Sequence, residues 1–349
     1  MKIAQIAPLY ECVPPCLYGG TERLVAHLCD ALVALGHEVT LFAAEGSSTA
    51  GTLVTARDQA LRLDASPLKS ELASHLSMLH DLRNCAAEFD ILHFHVDLLH
   101  FPFFESIAHK TLTTLHGRLD LKDLAGAYQR WHRYPLVSIS HYQRTPLPSA
   151  RWVSNVYHGL CADAYGFSPA HGEYLAFLGR ISPEKRPDRA IAIARATGLP
   201  LKIAAKVDAA DREYFEQQII PLLALPGIEY LGEIGDQDKT AFLGNARALL
   251  FPIDWPEPFG LVMIEAMACG TPVIAWGCGS VPEVLDDGVT GFIVNSEAEA
   301  AGATRQVLEL DRQAIRAVFE KRFSASVMAG RYVDLYRQLT GGRYPDDRR

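Results

Sequence analysis

Two glutamates in one short stretch have the spacing of a ligand-gripping pair. In Glu257–Ala275, read EPFGLVMIEAMACGTPVIA, Glu257 sits in a proline-flanked loop. Glu265 follows eight positions on (265 − 257 = 8), inside a helix-compatible run. At 1.5 Å per helical residue, Glu265 stands roughly 7.5 Å along the axis from the start of that run. Between the acids, the unpaired backbone N–H groups around Phe259, Gly260 and Leu261 would form a helix N-terminus, a natural seat for phosphate. Carboxylate, anion seat and carboxylate in a row suit a sugar, a diphosphate and a ribose. Spacing alone supports a plainer account equally well, with Glu257 a solvated loop acid and Glu265 a surface helix residue.

Cations stand where such a phosphate would need them. The strand expected over Tyr174–Leu178 ends in Gly179-Arg180, and the next loop carries Ser182, Pro183, Glu184 and Lys185 before a helix at Pro187–Thr197. Arg180 and Lys185 at the carboxyl end of a strand are placed to clamp phosphate, whereas Arg186 reads as an ordinary helix-start charge. Histidine is harder to interpret, because twelve of the thirteen lie before residue 165. His116 is set apart by following directly on a buried strand, Thr111–Leu115; His93 and His95 are weaker candidates. A glycine pair, Gly19 and Gly20, follows the first strand within Tyr18-Gly19-Gly20-Thr21-Glu22. A tight turn needing positive φ would account for it structurally, and its place after the first strand favours a functional role.

The elements that must position these residues alternate strand and helix. Ile3–Ala7 reads as a buried strand, Leu24, Val25, Leu28, Leu32 and Leu35 mark one face of a helix ended by Gly36, and Val39–Ala43 returns as a strand. Further strands are expected at Asp90–Phe94, Leu136–Ser140 and Val153–Gly159, with a helix-like stretch over 70–88 and no chemistry assigned to 47–90. After a proline-containing linker at Tyr165–Gly172, strand and helix pairs resume through Leu201–Val207, Ile228–Gly232, Ala248–Ile253, Val273–Trp276 and Gly291–Val294. The pattern predicts two α/β domains, 1–164 and 165–325, with a last helix over about 326–340. The glycine pair lacks the third glycine of a dinucleotide fingerprint, and no Gly-Lys-Ser phosphate loop occurs, so NAD and ATP readings lose their main support.

Composition narrows the classes further. At 349 residues and 49% hydrophobic, the chain can bury a core in each of two domains. A net charge of −8 argues against a general nucleic-acid binder. Seven scattered cysteines, an odd number without zinc spacing, suit a reduced cytoplasmic protein. No signal peptide and no run of 18 apolar residues are visible, so a transmembrane segment is not expected. Lys122–Tyr134 mixes basic and aromatic residues that could touch a membrane surface. The first 164 residues hold 13 Lys and Arg against 16 Asp and Glu, so a solvated or acceptor-facing helix is the better account.

EPFGLVMIEAMACGTPVIA resembles the signature of the retaining GT-B glycosyltransferases of family 4 (glycosyl transferases group 1), and LGRISPEKRPD resembles that family's second signature. The resemblance spans nearly the whole chain and is strongest after Tyr174. It implies two Rossmann-like α/β/α domains facing a central cleft, the first holding the acceptor and the second the nucleotide-sugar donor, with the last helix crossing back to the first. It makes His116 and Glu257 the catalytic candidates. It places Glu257, Phe259 and Gly260 on the donor sugar and Glu265 on the ribose, with Arg180, Lys185, Gly260 and Leu261 on the diphosphate. The Gly19-Gly20 loop would face the cleft, and the loops at Lys206–Asp208 and Glu233–Gly235 would frame the base. No metal and no cofactor are expected, since Arg180 and Lys185 take the place of a cation and the nearest acidic pair, Asp286-Asp287, falls in an expected turn. Three rivals remain: a sugar-nucleotide epimerase of the same fold, a glycosidase using Glu257 and Glu265 as its acid and base, and an exported sugar-binding protein. The Arg and Lys loop argues against the glycosidase. Donor base, donor sugar and acceptor are not legible.

Overall fold

The computed structural model describes residues 1–17 and 19–341; Tyr18 and the last eight residues lie outside them. The chain divides into two compact units. Unit 1 is Met1–Gly159 together with the closing helix Ala325–Leu339, and unit 2 is Leu160–Ser324.

Among the described residues, unit 1 is built on a seven-stranded, all-parallel sheet. Its strands are β1 (Lys2–Ile6), β2 (Glu38–Ala44), β3 (Thr52–Arg57), β4 (Ile91–Phe94), β5 (Thr111–Thr114), β6 (Leu136–Ser138) and β7 (Trp152–Asn155), in the order β3-β2-β1-β4-β5-β6-β7. Strands buried on both faces read as apolar runs, and β1 does so at Ile3, Ala4 and Ile6. Gln5 is the exception, a fully buried amide in the middle of the strand. The helix Gly20–Ala34 that follows buries Leu24, Val25, Leu28 and Leu32 of the predicted face, while Leu35 falls just past its end and is exposed. β3 escapes sequence reading because it is an edge strand, largely exposed, so its composition carries no apolar run. The helix within Lys122–Tyr134 is confined to Leu124–Arg130.

Unit 2 holds, among the described residues, a six-stranded parallel sheet of β8 (Tyr174–Arg180), β9 (Leu201–Lys206), β10 (Ile228–Gly232), β11 (Ala246–Phe251), β12 (Val273–Trp276) and β13 (Gly291–Val294). The order is β10-β9-β8-β11-β12-β13. The change of unit falls at Gly159–Leu160, ahead of the boundary expected at 164–165. Leu160 pairs with Ser324 and its N–H donates to the Phe323 carbonyl at 2.9 Å, so the chain enters and leaves unit 2 side by side. The supposed linker is part of the unit. Buried Arg312 donates to the Ser168, Ala246 and Gly244 carbonyls (2.8, 3.1 and 2.9 Å) and to Thr271 Oγ1 (2.6 Å). Arg316 holds the Ala162 and Tyr165 carbonyls at 3.0 and 2.9 Å. No helix among the described residues is long and apolar enough to cross a membrane.

Candidate functional site

Both sheets change strand direction of growth at one point, where the loops leaving two adjacent strands part and leave a crevice beyond their carboxyl ends. In unit 2 that point lies between β8 and β11. The loop after β8 carries Lys185 and the loop after β11 carries Glu257, and the two side chains meet: Lys185 Nζ donates to Glu257 Oε2. Trp255 Nε1 donates to the same oxygen at 3.0 Å. Lys185 also lies over the Phe251 and Trp255 rings, 5.5 and 5.0 Å from their centroids, within cation–π range. Backbone bonds from Glu257 N to Trp255 O (2.8 Å) and from Ser280 N to Glu257 O (3.0 Å) fix the loop that presents the acid. Glu257 is buried, so it is not the solvated loop acid that spacing also allowed.

Gly260 opens the signature helix Leu261–Ala268 at φ 79°, and a Cβ there would lie 2.8 Å from Met263 Cε and 3.0 Å from Phe251 Cζ. Left-handed backbone and lack of room both require glycine. No side chain among the described residues caps this helix start, so the Gly260–Leu261 amides retain the character of an anion seat. The Phe259 ring turns away from it into the core, edge-on to Phe323 at 6.1 Å, which leaves Phe259 only its backbone to offer a ligand.

Glu265, four residues into that helix, is not a surface residue: it is 2% exposed. Lys239 Nζ donates to its Oε1 at 3.0 Å and Tyr165 OH donates to the same atom at 3.1 Å; Asp236 is 3.2 Å from Lys239. Arg180 pairs with other acids than Lys185 does. It pairs with Glu184 (2.8 Å), Asp208 (3.3 Å) and Asp211 (3.7 Å), and Lys206 pairs with Asp208 at 3.1 Å. Burial pushes the Asp208 carboxyl up, but the Lys206 and Arg180 cations outweigh it and hold the group below the usual carboxylate range. Arg186 pairs with Asp188 and Asp254 at the start of its helix, in keeping with a local structural charge.

In unit 1 the corresponding point lies between β1 and β4. His116 is two residues beyond β5, and its Nε2 is 2.8 Å from His95 Nδ1; its ring stacks on buried His158, 5.2 Å between centroids. Burial depresses His116 to a pKa of about 3, and holds His93, His95 and His158 well below the usual histidine value, with neighbouring imidazoles acting in the same direction on those three. All four are neutral at pH 7. Gly19 has an extended φ of 161°, so the pair is not explained by a positive-φ turn. Space is the reason: a Cβ on Gly19 would lie 2.7 Å from Pro15 Cβ, while Gly20 begins the helix. Asp97, just past β4, adopts φ 50°, a strained conformation for a residue with a side chain.

Residues 18–197 match the family described as Glycosyltransferase Family 4, and residues 167–322 match Glycosyl transferases group 1. The chain belongs to glycosyltransferase family 4. Among relatives of this glycosyltransferase, the phosphatidyl-myo-inositol mannosyltransferase of Mycolicibacterium smegmatis is 24% identical over 98% of this chain and 95% of its own length. The D-inositol 3-phosphate glycosyltransferase of Saccharomonospora viridis is 34% identical over 49% of this chain. That match, like one to a Klebsiella pneumoniae protein of a cps region, spans less than half of the relative's length (44% and 46%). The crystal structure of AviGT4, a glycosyltransferase of avilamycin A biosynthesis, superposes with TM-score 0.76 at 25% identity, covering 98% of both chains. An Anabaena HepE structure with UDP and glucose superposes at TM-score 0.72 and 19% identity, over 97% of this chain and all of the other, and shows the fold alone. The glycosyltransferase thus has the GT-B fold of two parallel-sheet α/β domains.

Sequence reasoning on this glycosyltransferase missed the groups that hold its candidates. Trp255 stands two residues from Glu257, and nothing in its sequence context marks it as a partner of that acid. Tyr165 and Lys239 reach Glu265 from distant positions, and nothing in the sequence links them. Gln5 did leave a signal, since a lone amide inside a buried strand is the kind of residue that needs a reason.

Proposed function

We propose that this glycosyltransferase transfers a sugar, with retention of configuration, from a nucleoside diphosphate donor to an acceptor, and that it does so without a metal ion. One observation carries the reading: Lys185 and Glu257 meet beside the switch point of unit 2, next to the glycine-opened helix start. A sugar diphosphate presents hydroxyls for a carboxylate and negative charge for a lysine and a helix N-terminus. Glu257 takes the sugar, Arg180 and Lys185 with the Gly260–Leu261 amides take the diphosphate, Glu265 takes the ribose, and His116 meets the sugar near the reacting carbon. The departing diphosphate gains charge in the transition state, and the two cations stabilise it there. The mannosyl- and glycosyltransferase relatives support the transfer of a sugar.

The test is a panel of UDP-, GDP-, ADP- and TDP-sugars in excess EDTA. The cognate nucleotide at 100 times its dissociation constant should stabilise the protein by about 2.7 kcal/mol, and the product anomer should match the donor's. Glu257→Gln should lower turnover far more than affinity for free nucleoside diphosphate. Equal loss of both would remove Glu257 from the sugar.

A further inference from the structure

Unit 1 contains one continuous hydrogen-bonded chain of buried polar side chains, and it ends at His116. Gln5 and His93 are register partners on adjacent strands, and Thr114 lies on the next strand. His95 and His116 stand two residues beyond His93 and Thr114, so the two-residue strand period turns all five to one face. The closing helix covers that face with Tyr332 and Tyr336, one helical turn apart. From Gln5 outward, His95 Nε2 is 2.8 Å from Gln5 Oε1, and His95 Nδ1 is 2.8 Å from His116 Nε2. In the other direction Gln5 Nε2 donates to Tyr336 OH at 3.1 Å, and Tyr336 OH is 2.7 Å from His93 Nδ1. His93 Nε2 is 2.8 Å from Thr114 Oγ1, which is 2.8 Å from Tyr332 OH.

Such a chain has a direction. A neutral imidazole offers one N–H and one lone pair, so the role of one ring nitrogen fixes the role of the other. Hydroxyls serve either direction by rotation. The Gln5 amide differs at its two ends, and its orientation sets the sense of the whole. Its Oε1 must accept, so His95 carries its proton on Nε2 and leaves Nδ1 bare. His116 must then donate from Nε2, which leaves its Nδ1 a bare acceptor. That atom is buried and has no hydrogen-bond partner among the described residues. An unmet buried acceptor is costly, and it suits a donor that arrives with a ligand.

We infer that Gln5 is a positioning residue which, through His95, fixes the tautomer of His116 so that Nδ1 accepts a hydrogen bond from a hydroxyl of the transferred sugar. The inference rests on the placement of His116 at the donor sugar proposed above. Reversal of the amide would present an N–H instead, and a sugar hydroxyl would then have to meet His116 as acceptor.

The experiment is long-range proton–nitrogen correlation of the imidazoles in the full-length protein, with His116→Ala identifying the His116 signals. Wild type should show His116 protonated on Nε2 and bare on Nδ1; a proton on Nδ1 overturns the inference. Gln5→Met should give a mixture of His116 tautomers and lower kcat by about tenfold at saturating donor, the worth of one ordinary hydrogen bond, with nucleotide affinity unchanged. An unchanged tautomer in Gln5→Met overturns it as well. Tyr336→Phe removes a buried hydrogen bond on the far side of Gln5 from His116, so it should lower Tm yet leave the His116 tautomer as in wild type. If the tautomers behave as stated but His116→Ala retains full turnover, the relay stands and the placement of His116 at the sugar fails.

Discussion

The two units solve the same problem, holding polar groups ready inside an apolar sheet, by opposite means. Unit 1 uses neutral groups: imidazoles, an amide and hydroxyls joined end to end between Gln5, His95 and His116, with burial keeping the histidines uncharged. Unit 2 uses full charges: both cations assigned to the donor are matched to acids, Lys185 to Glu257 and Arg180 to Glu184, Asp208 and Asp211, and Lys239 is matched to Glu265. A neutral chain stores direction, because one donor-acceptor choice propagates along it. An ion pair stores no direction but holds two charged groups in register. Removing one member of a buried pair leaves the other uncompensated, so losses in unit 2 should be steeper than the lost contact alone.

Acid should separate the units most widely. His93, His95, His100, His116 and His158, all in unit 1, have pKa values depressed by burial. A depressed histidine binds a proton in the unfolded chain before it does so in the folded one. Its contribution is therefore complete above the unfolded value near 6.5 and falls as pH drops below it, by about 1.4 kcal/mol per pH unit for each group. Five groups acting together would consume a typical domain stability of about 5–15 kcal/mol within one or two pH units. Unit 2 has a single histidine, His171, also depressed by burial and by the Arg312 and Arg247 cations, so it loses one such contribution where unit 1 loses five; the depressed carboxylates of unit 2, Asp188 and Asp208, lose theirs only as pH falls below the ordinary carboxylate range. Hydrogen exchange of the full chain should show unit 1 losing protection between about pH 6 and 5, before unit 2. Unit 2 opening first would break the comparison.

The next largest effect belongs to the cations. Arg180→Ala and Lys185→Ala should each lower turnover at saturating donor by roughly 100- to 1,000-fold, about 2.7–4 kcal/mol, by analogy with loss of one oxyanion-hole donor. Lys185→Ala should be the worse, because the acid it strands, Glu257, is more buried than the acids paired with Arg180 and is the one proposed to hold the sugar. The rate in excess EDTA should stay at the untreated level. Activity abolished by EDTA and restored by magnesium, with both variants near wild type, would show that the charge in unit 2 serves the fold alone. In unit 1, His116→Ala should cost at least about 100-fold in kcat, the lower range for a positioned catalytic group, and a value within a few-fold of wild type would reduce His116 to packing.

What was legible in the sequence follows the same division. Val273–Trp276, buried throughout, announces itself as an apolar run and was read at its observed ends, and the partly buried edge strands Gly291–Val294 and Ile228–Gly232, each with apolar residues beside a glycine, were read at theirs. Edge strand β3 has no such run and was missed. At the site, residues carried on one local motif were readable: the spacing of Glu257 and Glu265 and the place of Lys185 after a strand are properties of the chain itself. Their partners were not. Tyr165 and Lys239 lie 100 and 26 positions from Glu265, and Gln5 lies 331 positions from Tyr336; only the fold brings them together. Burial was also hidden. Glu257 looked equally fit for solvent until the Trp255 and Lys185 contacts accounted for it.

The smallest effect is the most discriminating for unit 2. Half-buried Trp255 does two things at once, donating its indole N–H to Glu257 Oε2 at 3.0 Å and offering its ring face to Lys185 at 5.0 Å. Trp255→Phe keeps an aromatic face near the lysine and removes only the N–H. A hydrogen bond to a charged group contributes about 1.5–3 kcal/mol, and Lys185 still holds the same oxygen, so the lower end applies: about tenfold in kcat. Nucleoside diphosphate affinity should not move, since the lysine keeps its charge and its cation–π contact. Steady-state kinetics beside calorimetric titration of the diphosphate would measure both. If affinity falls while kcat at saturation holds, the indole serves the lysine rather than the glutamate. The ion pair would then be a device for binding phosphate, with Glu257 as its counter-charge, and the sugar would have to be held elsewhere.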